Sequence, residues 1–121
     1  MDPKQFPIYT TRGDWAAMLI GRFIYNTQGE WIGWIDAQGQ VFNVRGMYVG
    51  WLNRDFRILS KRSLGTHPRR DPPPRPPRVR LPNNVPLPPM MSDLTYDTID
   101  VFEEAAFRLD PLDMDQVQDI E

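Results

Sequence analysis

The chain has 121 residues, a quarter of them charged, a formal net charge of −2 and no cysteine. That length holds one small domain plus accessory segments, and without cysteine there are no disulfides or thiolate metal sites, as suits a reducing cytosol. No apolar region follows Met1-Asp2-Pro3-Lys4 as a signal peptide requires, and the longest apolar run, Trp15 to Tyr25, is broken by Arg22 and falls short of the ~20 residues of a membrane span; a cytoplasmic protein is expected.

The first elements repeat. Ile8 to Ile20 reads IYTTRGDWAAMLI, Ile24 to Asp36 reads IYNTQGEWIGWID, and Val41 to Asn53 reads VFNVRGMYVGWLN, at successive offsets of 16 and 17 residues. Self-similarity at a short fixed period is the mark of a repeat architecture. Each copy parses as strand, turn, strand. In the second, Phe23-Ile24-Tyr25 leads into the turn Asn26-Thr27-Gln28-Gly29, whose order suits a type I turn closed by a left-handed residue. Gly13, Gly29 and Gly46 occupy that last position. The return strands Trp31 to Ile35 and Tyr48 to Leu52 are apolar throughout, as strands covered on both faces are. Gly33 and Gly50 sit in mid-strand, where glycine marks close backbone approach or a bulge; Trp34 and Trp51 follow them as structural residues. Units this short do not make a propeller blade of four strands. The expected fold is all-β, three to four two-stranded hairpins arranged like petals in a miniature propeller, with an open meander as the alternative.

The pattern of strand, N-x-x-G turn and aromatic-[VI]-G-W-[IL] at this period, carried by Tyr25…Gly29…Gly33-Trp34 and Phe42…Gly46…Gly50-Trp51, resembles the 4-fold β-flower family of small bacterial domains. The resemblance covers Ile8 to Gly65 and implies the flower fold, followed in many members by a proline-rich tail; it implies no biochemical activity. The fourth copy departs from the pattern. Ile58-Leu59-Ser60 aligns with Val41-Phe42-Asn43, but Ser63 stands where the turn glycine belongs, and the chain runs on to His67-Pro68. The N-terminal segment, the tail or a strand from a second chain would complete that petal, or it is degenerate.

Eleven of the 13 prolines fall between His67 and Leu112, so three parts are predicted: a repeat domain over 1–65, a basic extended arm over 66–90 and an acidic helical tail over 91–121. Proline removes backbone donors, which makes the arm neither helix nor interior strand and favours polyproline II. Arg70-x-x-Pro73-x-x-Pro76 and Pro73-x-x-Pro76-x-Arg78 match ligands of aromatic-lined grooves. An apolar patch of Val85, Leu87, Met90 and Met91 follows. Asp97 or Thr98 then caps a predicted helix with Ile99, Phe102, Ala106 and Leu109 on one face, and Asp110-Pro111 opens a second with Met114, Val117 and Ile120. These short helices need an apolar surface, on the flower itself or in a partner's groove.

Charge is polarised. Arg57 to Arg80 carries eight basic residues against one acid, and Met91 to Glu121 ten acids against one base, which argues for interaction segments or for a tail folded back on its own chain. His67 reads as a solvated linker residue. Asp110-x-x-Asp113-x-Asp115 lacks the glycine and spaced glutamate of a calcium loop, and no phosphate-binding loop is present. No catalytic, metal or cofactor site is therefore expected. The sequence points to a non-catalytic adaptor or structural subunit of a larger assembly, meeting a protein partner through Pro73, Pro76, Arg78, Leu87, Met90, Ile99, Phe102 and Leu109. Two alternatives stand beside it. One is a single-stranded nucleic-acid-binding protein using Arg57, Lys61, Arg62, Arg69 and Arg70; the other is a homo-oligomeric structural protein.

Overall fold

A computed structural model describes residues 4–111. Within them, β1 (Gln5–Tyr9), β2 (Trp15–Ile20), β3 (Phe23–Asn26), β4 (Trp31–Ile35), β5 (Gln40–Asn43), β6 (Tyr48–Leu52), β7 (Ile58–Lys61) and β8 (Thr98–Asp100) form one antiparallel sheet, each strand paired with its neighbours in sequence. The fold is all-β, and its strands group into the four hairpins β1–β2, β3–β4, β5–β6 and β7–β8.

The repeat explains why the hairpins share a shape. The Asn26 side-chain oxygen accepts from the backbone N–H groups of Gln28 and Glu30 at 3.0 and 2.9 Å. Asn43 does the same for Arg45 and Met47 at 2.9 and 3.0 Å. Gly29 and Gly46 close these turns at φ +82° and +85°, a region that a side chain makes costly. A one-residue register shift lies beside each turn, between Ile24/Tyr25 and Val41/Phe42 and likewise between Ile8/Tyr9. It sets Tyr9 opposite Trp15, Tyr25 opposite Trp31 and Phe42 opposite Tyr48, aromatic pairs of the kind that stabilise a sheet. Ile8, Ile24, Val41 and Ile58 hold the same place in the four hairpins; each is fully buried, and all belong to one central cluster.

The fourth petal is completed by the tail. Leu59 pairs with Asp100, Ser60 with Ile99 and Lys61 with Thr98, and Arg62 N donates to Asp97 O at 2.7 Å. What would be a four-residue turn is thus an excursion of more than thirty residues. The helix expected from Asp97 or Thr98 is correspondingly shorter. Residues 98–100 go to the open edge of β7, whose unpaired N–H and C=O groups accept a strand. Asp100 becomes the cap, its carboxylate accepting from Phe102 N, of the single-turn helix α1 (Val101–Glu104), and a 3₁₀ turn spans Ala106–Leu109. Ile99, Val101, Ala105 and Leu109 join the central cluster. The second expected helix, with Met114, Val117 and Ile120, lies outside the described residues.

Both mid-strand glycines are places of close approach. A Cβ on Gly50 would lie 2.0 Å from Leu59 O, and one on Gly33 2.5 Å from Phe42 O and 3.1 Å from Leu109 Cδ2.

The proline-rich arm lies against the petals and visits them in reverse order. Arg70 N donates to Gly46 O at 2.9 Å in the third petal, and Val79 N to Gly29 O at 3.0 Å in the second. Pro88 packs against Gly13 in the first, where the Tyr9 hydroxyl also donates to Pro86 O at 2.6 Å. These contacts are nine residues apart, three turns of a polyproline II helix. Burial follows the same period of three except at Pro82: Pro73, Pro76 and Val79 are half-buried, as are Val85, Pro88, Met91 and Leu94.

Candidate functional site

The arm keeps one face on the flower and turns the other outward. Pro73 and Pro76 are on the inward face, half-buried, whereas Arg78 is exposed and its Nε donates to Gln28 O at 3.1 Å. Leu87 is 91% and Met90 98% exposed, although the intervening Pro88 and the preceding Pro86 are fixed against the first petal. Of the tail residues predicted to meet a partner, Ile99 and Leu109 are buried in the central cluster and Phe102 is half-buried against it. Trp34 is buried and stacks on Phe42 at 4.6 Å between ring centroids; Trp51 is half-buried.

The basic and acidic segments meet on the flower. Lys61 pairs with Asp97 at 3.0 Å and Arg62 with Glu104 at 3.3 Å. Hydrogen bonds from Thr95 and Lys61 hold the Asp97 carboxyl down at about 2. Arg57, a member of the basic run, is 1% exposed. It is spent on an internal network, with Nη2 on Asp55 Oδ2 at 2.6 Å and on Ser92 O at 3.0 Å, and Nη1 on Thr11 Oγ1 at 3.1 Å. Burial pushes the Asp55 carboxyl up, but hydrogen bonds from Arg57 and Asn53 and the Arg57 charge outweigh it, leaving the carboxyl below its usual range. Asp55 is two residues from Arg57, but Thr11 and Ser92 reach the guanidinium only through the tertiary fold, 46 and 35 residues away in sequence.

Sequence reading also missed a cleft on the second petal, between the turns that flank it. It has a volume of about 400 Å³ and is lined by Gly21, Arg22, Trp34, Ile35, Asp36, Ala37 and Arg70. Strand β4 delivers Trp34, the β2–β3 turn delivers Arg22, and the arm delivers Arg70. Asp36 Oδ1 is used by the β4–β5 turn, accepting from Gln38 N and Gln40 N at 3.0 and 2.9 Å. Its other oxygen lies 3.1 Å from Arg70 Nη1, an ion pair without hydrogen-bond alignment. A broader cleft of about 680 Å³ runs beside the arm, with Trp15, Arg78 and Arg80 in its lining. His67 stacks on Tyr48 at 4.0 Å, and its Nε2 lies 2.8 Å from Leu64 O. Among the described residues there is no cluster of three or more His, Asp or Glu able to hold a metal, and no helix long and apolar enough to cross a membrane.

No curated protein and no solved structure shows significant similarity to the chain. A family model does match: residues 3–96 fit the one described as 4-fold beta flower protein, which takes in the three petals built wholly from the repeat, the first strand of the fourth and the arm that encircles them. The chain belongs to the 4-fold β-flower family.

Proposed function

We propose that the protein is a non-catalytic, protein-binding accessory subunit that meets its partner through the outer face of the arm. The reading rests on Leu87 and Met90, which are 91% and 98% exposed on a backbone that Tyr9 and Gly13 hold in place. Each such side chain gains about 1.5–3 kcal/mol when it is fully buried, and a backbone already fixed lowers the ordering cost of docking. Arg78 and Arg80, exposed further back along the arm, supply a polar rim. For a single-stranded nucleic acid, Tyr96 and Phe107 are exposed rings, but Trp31 and Trp34 are buried and Arg57 is paired internally; the exposed apolar pair on the fixed arm favours protein. Pull-down with the full chain and with a Leu87→Asp/Met90→Asp variant tests this. The variant should keep its melting temperature and lose the captured partner. Unchanged capture would exclude the arm as the contact surface, and a dimeric mass in solution abolished by the same substitutions would assign that surface to a second copy of the chain.

A further inference from the structure

We propose that the cleft formed by Arg22, Trp34, Asp36 and Arg70 is a binding site for a carboxylate, such as the side chain of an acidic peptide segment. Two observations converge there. The Trp34 indole Nε1 is buried and has no acceptor among the described residues, whereas Trp15 and Trp31 donate theirs to Ala17 O and Gly33 O at 2.7 Å. A buried unpaired donor is costly and rare in folded proteins. Arg22 is exposed, its guanidinium lies over the Trp34 ring 5.4 Å from the centroid, and among the described residues it has no carboxylate partner. The side chains that carry this unpaired donor and this unpaired cation line one cleft.

The remaining charges do not oppose an anion. Asp36 is compensated by Arg70 at 3.1 Å, and Arg22 leaves the cleft one positive charge in excess. A guanidinium lying over an aromatic ring keeps its N–H edge free, and that edge matches the two oxygens of a carboxylate. The ligand would accept from Arg22 and from Trp34 Nε1. The indole nitrogen is covered in this structure, so the ligand reaches it after side chains lining the cleft move, a motion of picoseconds to nanoseconds for exposed ones. The site is independent of the arm's apolar face and does not rest on its function.

The test follows the indole N–H resonances of the full chain by NMR, at constant ionic strength, during titration with a blocked triglutamate peptide and, separately, with inorganic phosphate. The Trp34 resonance is identified by its loss in Trp34→Phe or, should that variant not fold, by its through-space contacts with the Phe42 ring. Triglutamate should shift the Trp34 resonance and leave the Trp15 and Trp31 resonances in place, and Arg22→Gln should weaken the response at least tenfold. Asp36→Asn retains the oxygen used by the turn, removes the competing charge and should tighten binding. No shift of the Trp34 resonance, an equal response to phosphate, or a response that survives Arg22→Gln would each overturn the carboxylate site.

Discussion

Thr11 and Asp100 lie 89 residues apart in sequence, yet the Thr11 backbone N–H and hydroxyl both donate to Asp100 Oδ2 at 2.7 Å. The first turn of the sheet is thereby fastened to its last strand, although β1 and β8 exchange no ladder bonds. The other Asp100 oxygen caps α1 through Phe102 N at 3.1 Å, and Thr11 Oγ1 also receives the buried Arg57. One carboxylate thus closes the flower and starts the helix that fills it.

Asp100→Ala should lower unfolding free energy by about 2–4 kcal/mol, since it leaves two donors near Thr11 unpaired and removes the cap. Asp100→Asn, which keeps an acceptor for the cap, should lose less. Urea denaturation followed by tryptophan fluorescence measures both; a neutral alanine variant would show that the sheet closes without this carboxylate.

The arm should be detachable by single methyl groups. A Cβ at Gly46 or Gly29 would fall 1.8 or 1.9 Å from the Arg70 or Val79 carbonyl oxygen, and each glycine has positive φ. Gly46→Ala and Gly29→Ala are expected to break the Arg70 and Val79 amide bonds to these turns and to speed hydrogen exchange at those two amides. Gly21 also has positive φ but nothing within 4 Å. Gly21→Ala should cost only the backbone strain, about 1 kcal/mol, and leave the arm in place. Equal protection of Arg70 in all three variants would contradict the packing.

Truncation after residue 65 should prevent stable folding rather than release an intact flower. It removes β8 and the buried Ile99, Val101, Ala105 and Leu109, and Leu109 alone, truncated to Ala, is worth about 2–5 kcal/mol at a core site. A truncated chain retaining the native tryptophan emission and a cooperative transition would mean that the first seven strands are self-sufficient.

Acid should destabilise the folded chain, whereas neutral pH should not. Asp55 and Asp97 both have carboxyls held below their ordinary 3.8, Asp97 at about 2. A carboxyl depressed in the folded state contributes stability above its unfolded value and loses it as pH falls through the folded one. Stability should therefore be level above about pH 5 and decline below about pH 4. Asp55→Asn should reduce stability by about 3–5 kcal/mol at neutral pH, because it strands the buried Arg57, and should flatten part of the acid limb. An acid limb identical to that of the parent chain would remove Asp55 from this account.

The petals were legible because their information is local. Asn26 and Asn43 bond amides two and four residues ahead, Gly29 and Gly46 take a backbone region closed to other residues, and the apolar strands recur at one period. Residues this close in sequence meet in any conformation of the hairpin, so the repeat by itself determined an all-β flower and located its break at Ser63. What completed the break was not local. Thr98 to Asp100 reads as the start of a helix, and it becomes a strand because β7 presents an unpaired edge. The destination of Arg57 was equally hidden: beside Asp55 in a basic run it looks solvated until Thr11 and Ser92 arrive around it. Phe102 and Leu109 had the right pattern for burial, but periodicity does not name the surface that covers them. Only the curl of the sheet decided that the surface was the chain's own core, leaving Leu87, Met90 and the Arg22–Trp34 cleft facing outward.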